Sequence, residues 1–424
     1  MTTSRRLCAF SDAAPSPYHA AAEAGAVLEG AGFARLEPGD RWPAAGSAVA
    51  VRGGSLVAVH VPEGCPPDAG FRMVGAHTDS PNLRVKPRPD TGRAGFRQLG
   101  VEVYGSPLLN SWLDRDLGLS GRVSVRTERG AETRLVKVDR PVARLPQLAI
   151  HLDREVTERG LVLDRQFHLS PVWGLGRPEE GAFAAFLAKE VGVGVDDVLA
   201  WDVMFHDTVP AALVGPDEEL VSAPRLDNLC SCFCAVTALA AAAPATGDAP
   251  LLVCLFDHEE VGSTTSTGAD GTLLPAAIER SVLARGGTRD DVLAALARSV
   301  LVSADMAHAT HPNYAERHEP SHQVALNGGP VVKLNANQRY ATDAETHGRF
   351  VLACERAGVP YQRYVNRTDL PCGSTIGPLA AARAGISVVD VGAPQLGMHS
   401  ARELGGAEDP EHLVRALTAF LGQP

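Results

Sequence analysis

Short apolar runs that end abruptly in charge set the rhythm of this chain. Leu251–Phe256 is unbroken by any polar residue, which predicts a strand buried on both faces, and it stops in Asp257, His258, Glu259 and Glu260. The run 72–76 likewise leads into His77-Thr-Asp79-Ser-Pro81, 299–303 into Asp305 and His308, and 386–391 into a loop that carries His399. Alternating stretches predict further strands at 47–52, 55–60 and 330–335. Between them, Ala-rich or helically spaced segments predict helices over 18–32, from Leu229 to about Ala243, over Arg289–Arg298 and over 343–357, with Asp409-Pro-Glu opening a last helix to about Leu421.

From about Lys86 the pattern changes. Pro87, Pro89 and Gly92 punctuate it, and alternating runs such as Val123-Ser-Val-Arg and Arg134-Leu-Val-Lys-Val-Asp139 predict an antiparallel, β-rich insert to about Pro210, with a helix near 181–191. His151, in Ala149-Ile-His-Leu152, falls in what reads as an alternating strand. The expected organisation is therefore an α/β domain built from 1–86 and 211–424, interrupted by an inserted domain at 87–210.

With 424 residues, 45 % hydrophobic and 21 % charged, the chain can bury a sizeable core in two domains. A net charge of −11 argues against nucleic acid or an anionic membrane as partner. No apolar run is long enough to span a bilayer, and the N-terminus lacks the core of a signal peptide. Eight cysteines without paired spacing suit reduced thiols and a cytoplasmic setting. Cys230, Cys232 and Cys234 read as small buried residues of a helix.

The chemistry lies at the strand ends. In an open α/β sheet, ligands gather outside the carboxyl ends of the strands, and here those ends carry His77, Glu259, Glu260 and Asp305, with His399 after another strand. Asp227 fits a helix N-cap as well as a carboxylate bridging two cations. Imidazoles and carboxylates without a necessary thiolate suit Zn²⁺, with Co²⁺ or Mn²⁺ as alternatives. Two histidines, a bridging aspartate and two further carboxylates would give two cations three protein ligands each. That leaves Glu259 to carry a proton.

Seven stretches, in order and over nearly the whole chain, resemble the motifs of the M18 metalloaminopeptidases of the aspartyl aminopeptidase group. They are Gly75-Ala-His-Thr-Asp-Ser-Pro-Asn-Leu83, Arg225-Leu-Asp-Asn-Leu229, Phe256-Asp-His-Glu-Glu-Val-Gly-Ser263, Ser303-Ala-Asp-Met-Ala-His-Ala-Thr-His-Pro-Asn-Tyr314, Asn335-Ala-Asn-Gln-Arg-Tyr340, Cys372-Gly-Ser-Thr-Ile-Gly-Pro378 and Gly397-Met-His-Ser-Ala-Arg-Glu403. The resemblance implies a mixed-sheet, zinc-exopeptidase-like catalytic domain with a β-rich dimerisation insert, and removal of N-terminal residues, Asp or Glu preferred, from peptides. It implies two zinc ions per subunit, one on His77 and Asp305, the other on Glu260 and His399, with Asp227 bridging. Glu259 would be the general base and Asp79 would orient His77. His308, Lys333 and Tyr340 would line the substrate pocket. His151 would reach a neighbour's site within dimers that build a dodecamer. Two rivals share parts of this pattern: another two-metal hydrolase, such as a deacylase or carboxypeptidase, and a non-catalytic particle former that keeps the metal site for stability.

Overall fold

The computed structural model describes residues 1–37, 39–245 and 247–422. They divide into two compact units. One comprises Met1–Asp79, Ala211–Met398 and the chain from Glu403 onward; the other comprises Ser80–Pro210 with His399–Arg402. The division falls after Asp79 rather than after Lys86, because Lys86 lies inside the strand Asn82–Arg93. A register shift between Val85 and Asp90 accommodates Pro87 and Pro89, so the prolines bend that strand without ending it.

In the first unit, nine strands among the described residues form one mixed sheet. Their order is Ala34–Leu36, Gly46–Arg52, Ser55–Val61, Leu251–Phe256, Arg72–His77, Val300–Ala304, Ser387–Gly392, Val331–Leu334 and Gln362–Val365. Leu251–Phe256 is buried at all six positions, and its period-2 geometry splits it between two cores. Leu251, Val253 and Leu255 pack with the helices Pro17–Gly30, Leu226–Ala242 and Asp409–Leu421. Leu252, Cys254 and Phe256 pack with Leu273–Ala284 and Ile376–Ala384 on the other face. Because Arg72–His77 pairs in parallel with both Leu251–Phe256 and Val300–Ala304, their carboxyl ends, and the charges that follow them, share one edge.

A smaller sheet of the same unit runs Ala212–Val214, Leu220–Ala223, Glu403–Gly406, Pro394–Leu396 and Ala307–His308. The helices expected from pattern are present, while Thr3–Ala13, Leu273–Ala284 and Ile376–Ala384 were not expected. No helix of the described residues is long and apolar enough to cross a membrane.

The second unit is a closed barrel in the order Val198–Asp207, Asn82–Arg93, Phe96–Tyr104, Val172–Leu175, Gly130–Arg144 and Asp116–Thr127. Leu99, Leu119, Val123, Val136 and Phe205 fill its core, together with Phe183 and Leu187 from the helix Ala182–Val191. The stretch 149–152 is not a strand: His151 sits in an exposed turn between Ile150 and Leu152, which are themselves 49 % and 76 % exposed. Alternation misleads there because apolar residues that face outward mimic a buried face.

Candidate metal centre

His77 closes its strand and is 1 % exposed. Its Nδ1–H donates to the main-chain oxygen of Asp79 at 2.9 Å, which leaves Nε2 as the lone-pair nitrogen. That atom lies 3.3 Å from Asp227 Oδ1 and 3.7 Å from Asp305 Oδ1. Burial opposes protonation of His77, yet the carboxylates of Asp227, Asp305 and Asp79 outweigh it and raise the pKa well above its ordinary value. A cation would take the place of that proton.

After Leu251–Phe256 the chain makes a single 3-10 turn, Glu259–Val261. Asp257 fixes its start: its amide donates to Ser55 Oγ and its carboxylate accepts from the His258 amide, 2.9 Å each. His258 adopts the left-handed conformation, φ 66°. The fully buried Asp79 then clasps the turn, accepting from the Glu259 amide at 3.0 Å and from the Glu260 amide at 3.1 Å. Asp79 therefore does more than orient His77. It also sets where both glutamates stand.

The Asp227 amide donates to Glu403 Oε2 at 2.9 Å, and Glu403 Oε1 lies 3.4 Å from Gln395 Nε2. Asp227 is not a plain N-cap: the helix Leu226–Ala242 departs from helical geometry at Asp227 and Asn228, and Asn228 Nδ2 donates to Ala304 O at 2.9 Å. Asp305 is placed by its amide, which donates to Val391 O at 2.8 Å. Glu403, buried at 3 % exposure, is a contributor that ligand-type reasoning missed; its place at the end of the last motif was its only signal in the sequence.

One donor atom from each of His77, Asp227 and Asp305 lies within 4.8 Å of the other two, and the same holds for His77, Glu259 and Glu260. Burial first, and then the charges of Asp305, Asp79 and Asp227, push Glu259 up to about 8, although His77 pulls the other way. This crowd of carboxylates around one imidazole, with no thiolate among its donors, fits a hard-to-borderline divalent cation such as zinc.

Lys333 is 2 % exposed; its Nζ donates to Met306 O at 3.2 Å, lies 3.6 Å from Asp305 Oδ2 and stands 5.0 Å over the Tyr340 ring. Tyr340 meets Tyr364 edge to face at 6.4 Å, and His308 meets Tyr364 at 6.0 Å. The surrounding protein, and then the charge of Lys333, lower the His308 pKa. His399 belongs to the second unit with φ 67°, its Nδ1–H donating to Ser106 O at 3.1 Å, which again leaves Nε2 with the lone pair. His151 also lies in that unit.

A family model described as aminopeptidase I zinc metalloprotease (M18) matches residues 10–421. A probable M18 family aminopeptidase 2 of Streptomyces coelicolor is 55 % identical over 419 residues, 98 % of this chain and 96 % of that protein. A cryo-EM structure of an Ape4 and Nbr1 complex superposes with a TM-score of 0.95 at 35 % identity, over 99 % of this chain and 85 % of that one. The mApe1 dodecamer of S. cerevisiae superposes with a TM-score of 0.85 at 27 % identity, over 98 % and 95 % of the two chains. Sequence, fold and the donor set at the strand ends agree: the chain belongs to the M18 family of zinc metalloaminopeptidases.

Proposed function

We propose that the chain removes N-terminal residues, Asp and Glu by preference, from peptides with the help of two zinc ions per subunit. The observation that carries this reading is the gathering of Asp227 and Asp305 about His77 Nε2 and of Glu259 and Glu260 about the same imidazole, with both glutamates fastened through Asp79. His77 and Asp305 would hold one cation, Glu260 and His399 the other, and Asp227 would bridge them; Co²⁺ or Mn²⁺ would fit the same donors. Zinc, when bound, supplies Lewis-acid polarisation of the scissile carbonyl and lowers the pKa of water.

Glu259 does the proton work. It stands beside the ligand set without being needed in it, and its raised affinity for a proton suits a group that takes one from attacking water and returns it to the leaving amine. Asp79 keeps that carboxylate in register with His77. Lys333, presented between Asp305 and Tyr340, attracts an acidic side chain, while Tyr340 and His308 shape the pocket around it. The insert would pair subunits and bring His151 to the neighbour's site. The S. cerevisiae mApe1 structure is a dodecamer, which supports the same assembly here; we set it in the cytoplasm, which suits the thiol state of the cysteines.

A panel of aminoacyl amides with free and acetylated N-termini, run beside metal analysis of the same protein, tests the reading. It expects hydrolysis only of the free amines, fastest for Asp and Glu, with two zinc ions per chain. Equal cleavage of blocked substrates would sink it.

A further inference from the structure

The strand Ser387–Gly392 holds a carboxylate that the proposed chemistry does not use. Asp390 is 0 % exposed, in an otherwise apolar run between Val300–Ala304 and Val331–Leu334. An acid sealed inside a sheet persists only where its oxygens are satisfied by hydrogen bonds. Ser303 Oγ and Thr375 Oγ1 each donate to Asp390 Oδ1 at 2.6 Å, and the Ala341 amide donates to Oδ2 at 2.6 Å. The Asp390 amide in turn donates to Thr342 Oγ1 at 2.9 Å. Gly377 completes the fit, because a Cβ there would overlap the Asp390 carboxylate.

Three separate segments therefore meet on one side chain: the strand leading to Asp305, the loop of Tyr340–Thr342, and the start of the helix Ile376–Ala384. The two loops also touch, with Ser374 Oγ donating to Arg339 O at 3.1 Å. Tyr340 and Cys372, next to these anchor points, pack with Ala307, Val324, Val331 and Tyr364 in one small cluster. The strand that delivers Asp305 has independent support from its parallel ladder with Ser387–Gly392 and from the bond between the Asp305 amide and Val391 O. The loops have less.

We infer that Asp390 is a positioning residue for substrate recognition: it fixes the spacing of the Tyr340 loop and the Cys372–Thr375 loop, and so the shape of the pocket wall. This rests on the reading that Tyr340 lines the pocket. Asp390→Ala removes every side-chain acceptor at once. It is expected to raise KM about tenfold while kcat stays within about threefold and zinc content is unchanged, the split that marks lost binding rather than lost chemistry. Asp390→Asn should recover most of the KM, since its amide oxygen can accept from the Ala341 amide while its NH₂ group faces the two hydroxyls. Gly377→Ala, which displaces the carboxylate without removing it, should raise KM in the same sense.

Circular dichroism checks that the variants fold, and Gly377→Ala carries the test where Asp390→Ala does not. An unchanged KM in the folded variants, or a loss of kcat and zinc alongside the rise in KM, overturns the inference. Tyr340→Ala separates the two layers. If it leaves KM unaltered, the pocket reading fails and takes the inference with it; if it raises KM while the Asp390 and Gly377 variants do not, only the role of Asp390 is wrong.

Discussion

The carboxylate cluster and the aromatic wall beside it are held in place by different means. In the cluster nearly every donor is fixed through a main-chain hydrogen bond: Asp79 takes two amides, Glu403 takes that of Asp227, Val391 O takes that of Asp305, and Asp79 O takes the His77 ring. In the wall, hydrogen bonds to Asp390 tie the loops, but the rings themselves meet only through contacts at 6.0 and 6.4 Å and a lysine over a tyrosine face, interactions with broad minima. Bonds of about 3 Å to rigid backbone set a ligand's position far more sharply than edge-to-face packing sets a ring. Chemistry and selectivity should therefore separate by region under mutation.

The sharpest break should come from Glu259→Gln. It keeps size and zinc content, and kcat should fall about 10³-fold, as for loss of a general base; near-normal turnover would remove Glu259 from that role. Next, Asp79→Ala releases both glutamate amides while leaving the main-chain oxygen that holds the His77 ring, so zinc affinity measured by chelator competition should drop about 10–100-fold, and an unmoved affinity would show the clasp to be incidental. On the wall side, Lys333→Ala should lower the preference for acidic over neutral N-terminal residues about tenfold, on the scale of one lost charge-assisted contact, with kcat on neutral substrates little altered. An unchanged preference would place selectivity elsewhere.

The smallest effect concerns pH. In metal-stripped protein, Glu259 titrates near 8 when folded against an ordinary 4.5, and the His77 pKa is raised as well. Each binds its proton more tightly folded than unfolded, so the stability these two groups contribute is fully present below their unfolded values and is lost as pH rises through their folded values. The melting temperature of stripped protein should fall by a few degrees from about pH 5 to about pH 8, and Glu259→Gln should flatten part of that slope. Added zinc should stabilise most at the upper end, where it meets least competition from protons. A rising or flat profile in the parent protein would contradict the crowding described for the cluster.

The sheet was legible because its strands are apolar runs that stop in charge. Leu251–Phe256 and the helix Arg289–Arg298 stand as the pattern predicts, and His77, Glu259, Glu260 and Asp305 lie at or just beyond strand ends. Ile376–Ala384 was hidden because its Cys372–Thr375 approach is rich in turn formers, and the Thr375 side chain that caps it is indistinguishable in sequence from a loop threonine. The strand expected around His151 failed because alternation reports two faces without saying which is buried. Asp390, Glu403 and the clasp by Asp79 were invisible for another reason: they act on backbone amides brought near only by the fold, and no spacing along the chain encodes that.

Cys230, Cys232 and Cys234 lie buried in the helix Leu226–Ala242, and Cys232 Sγ reaches the main-chain oxygen of His77 at 3.0 Å. Burial pushes the Cys232 thiol up to about 12, so a sulfur against the main chain of His77 stays protonated at physiological pH in the metal-free protein. Buried and engaged with that oxygen, it offers no foothold to alkylating reagents or peroxide. Oxidative handling of metal-free protein should accordingly leave Cys232 intact, as mass spectrometry after peroxide treatment would read.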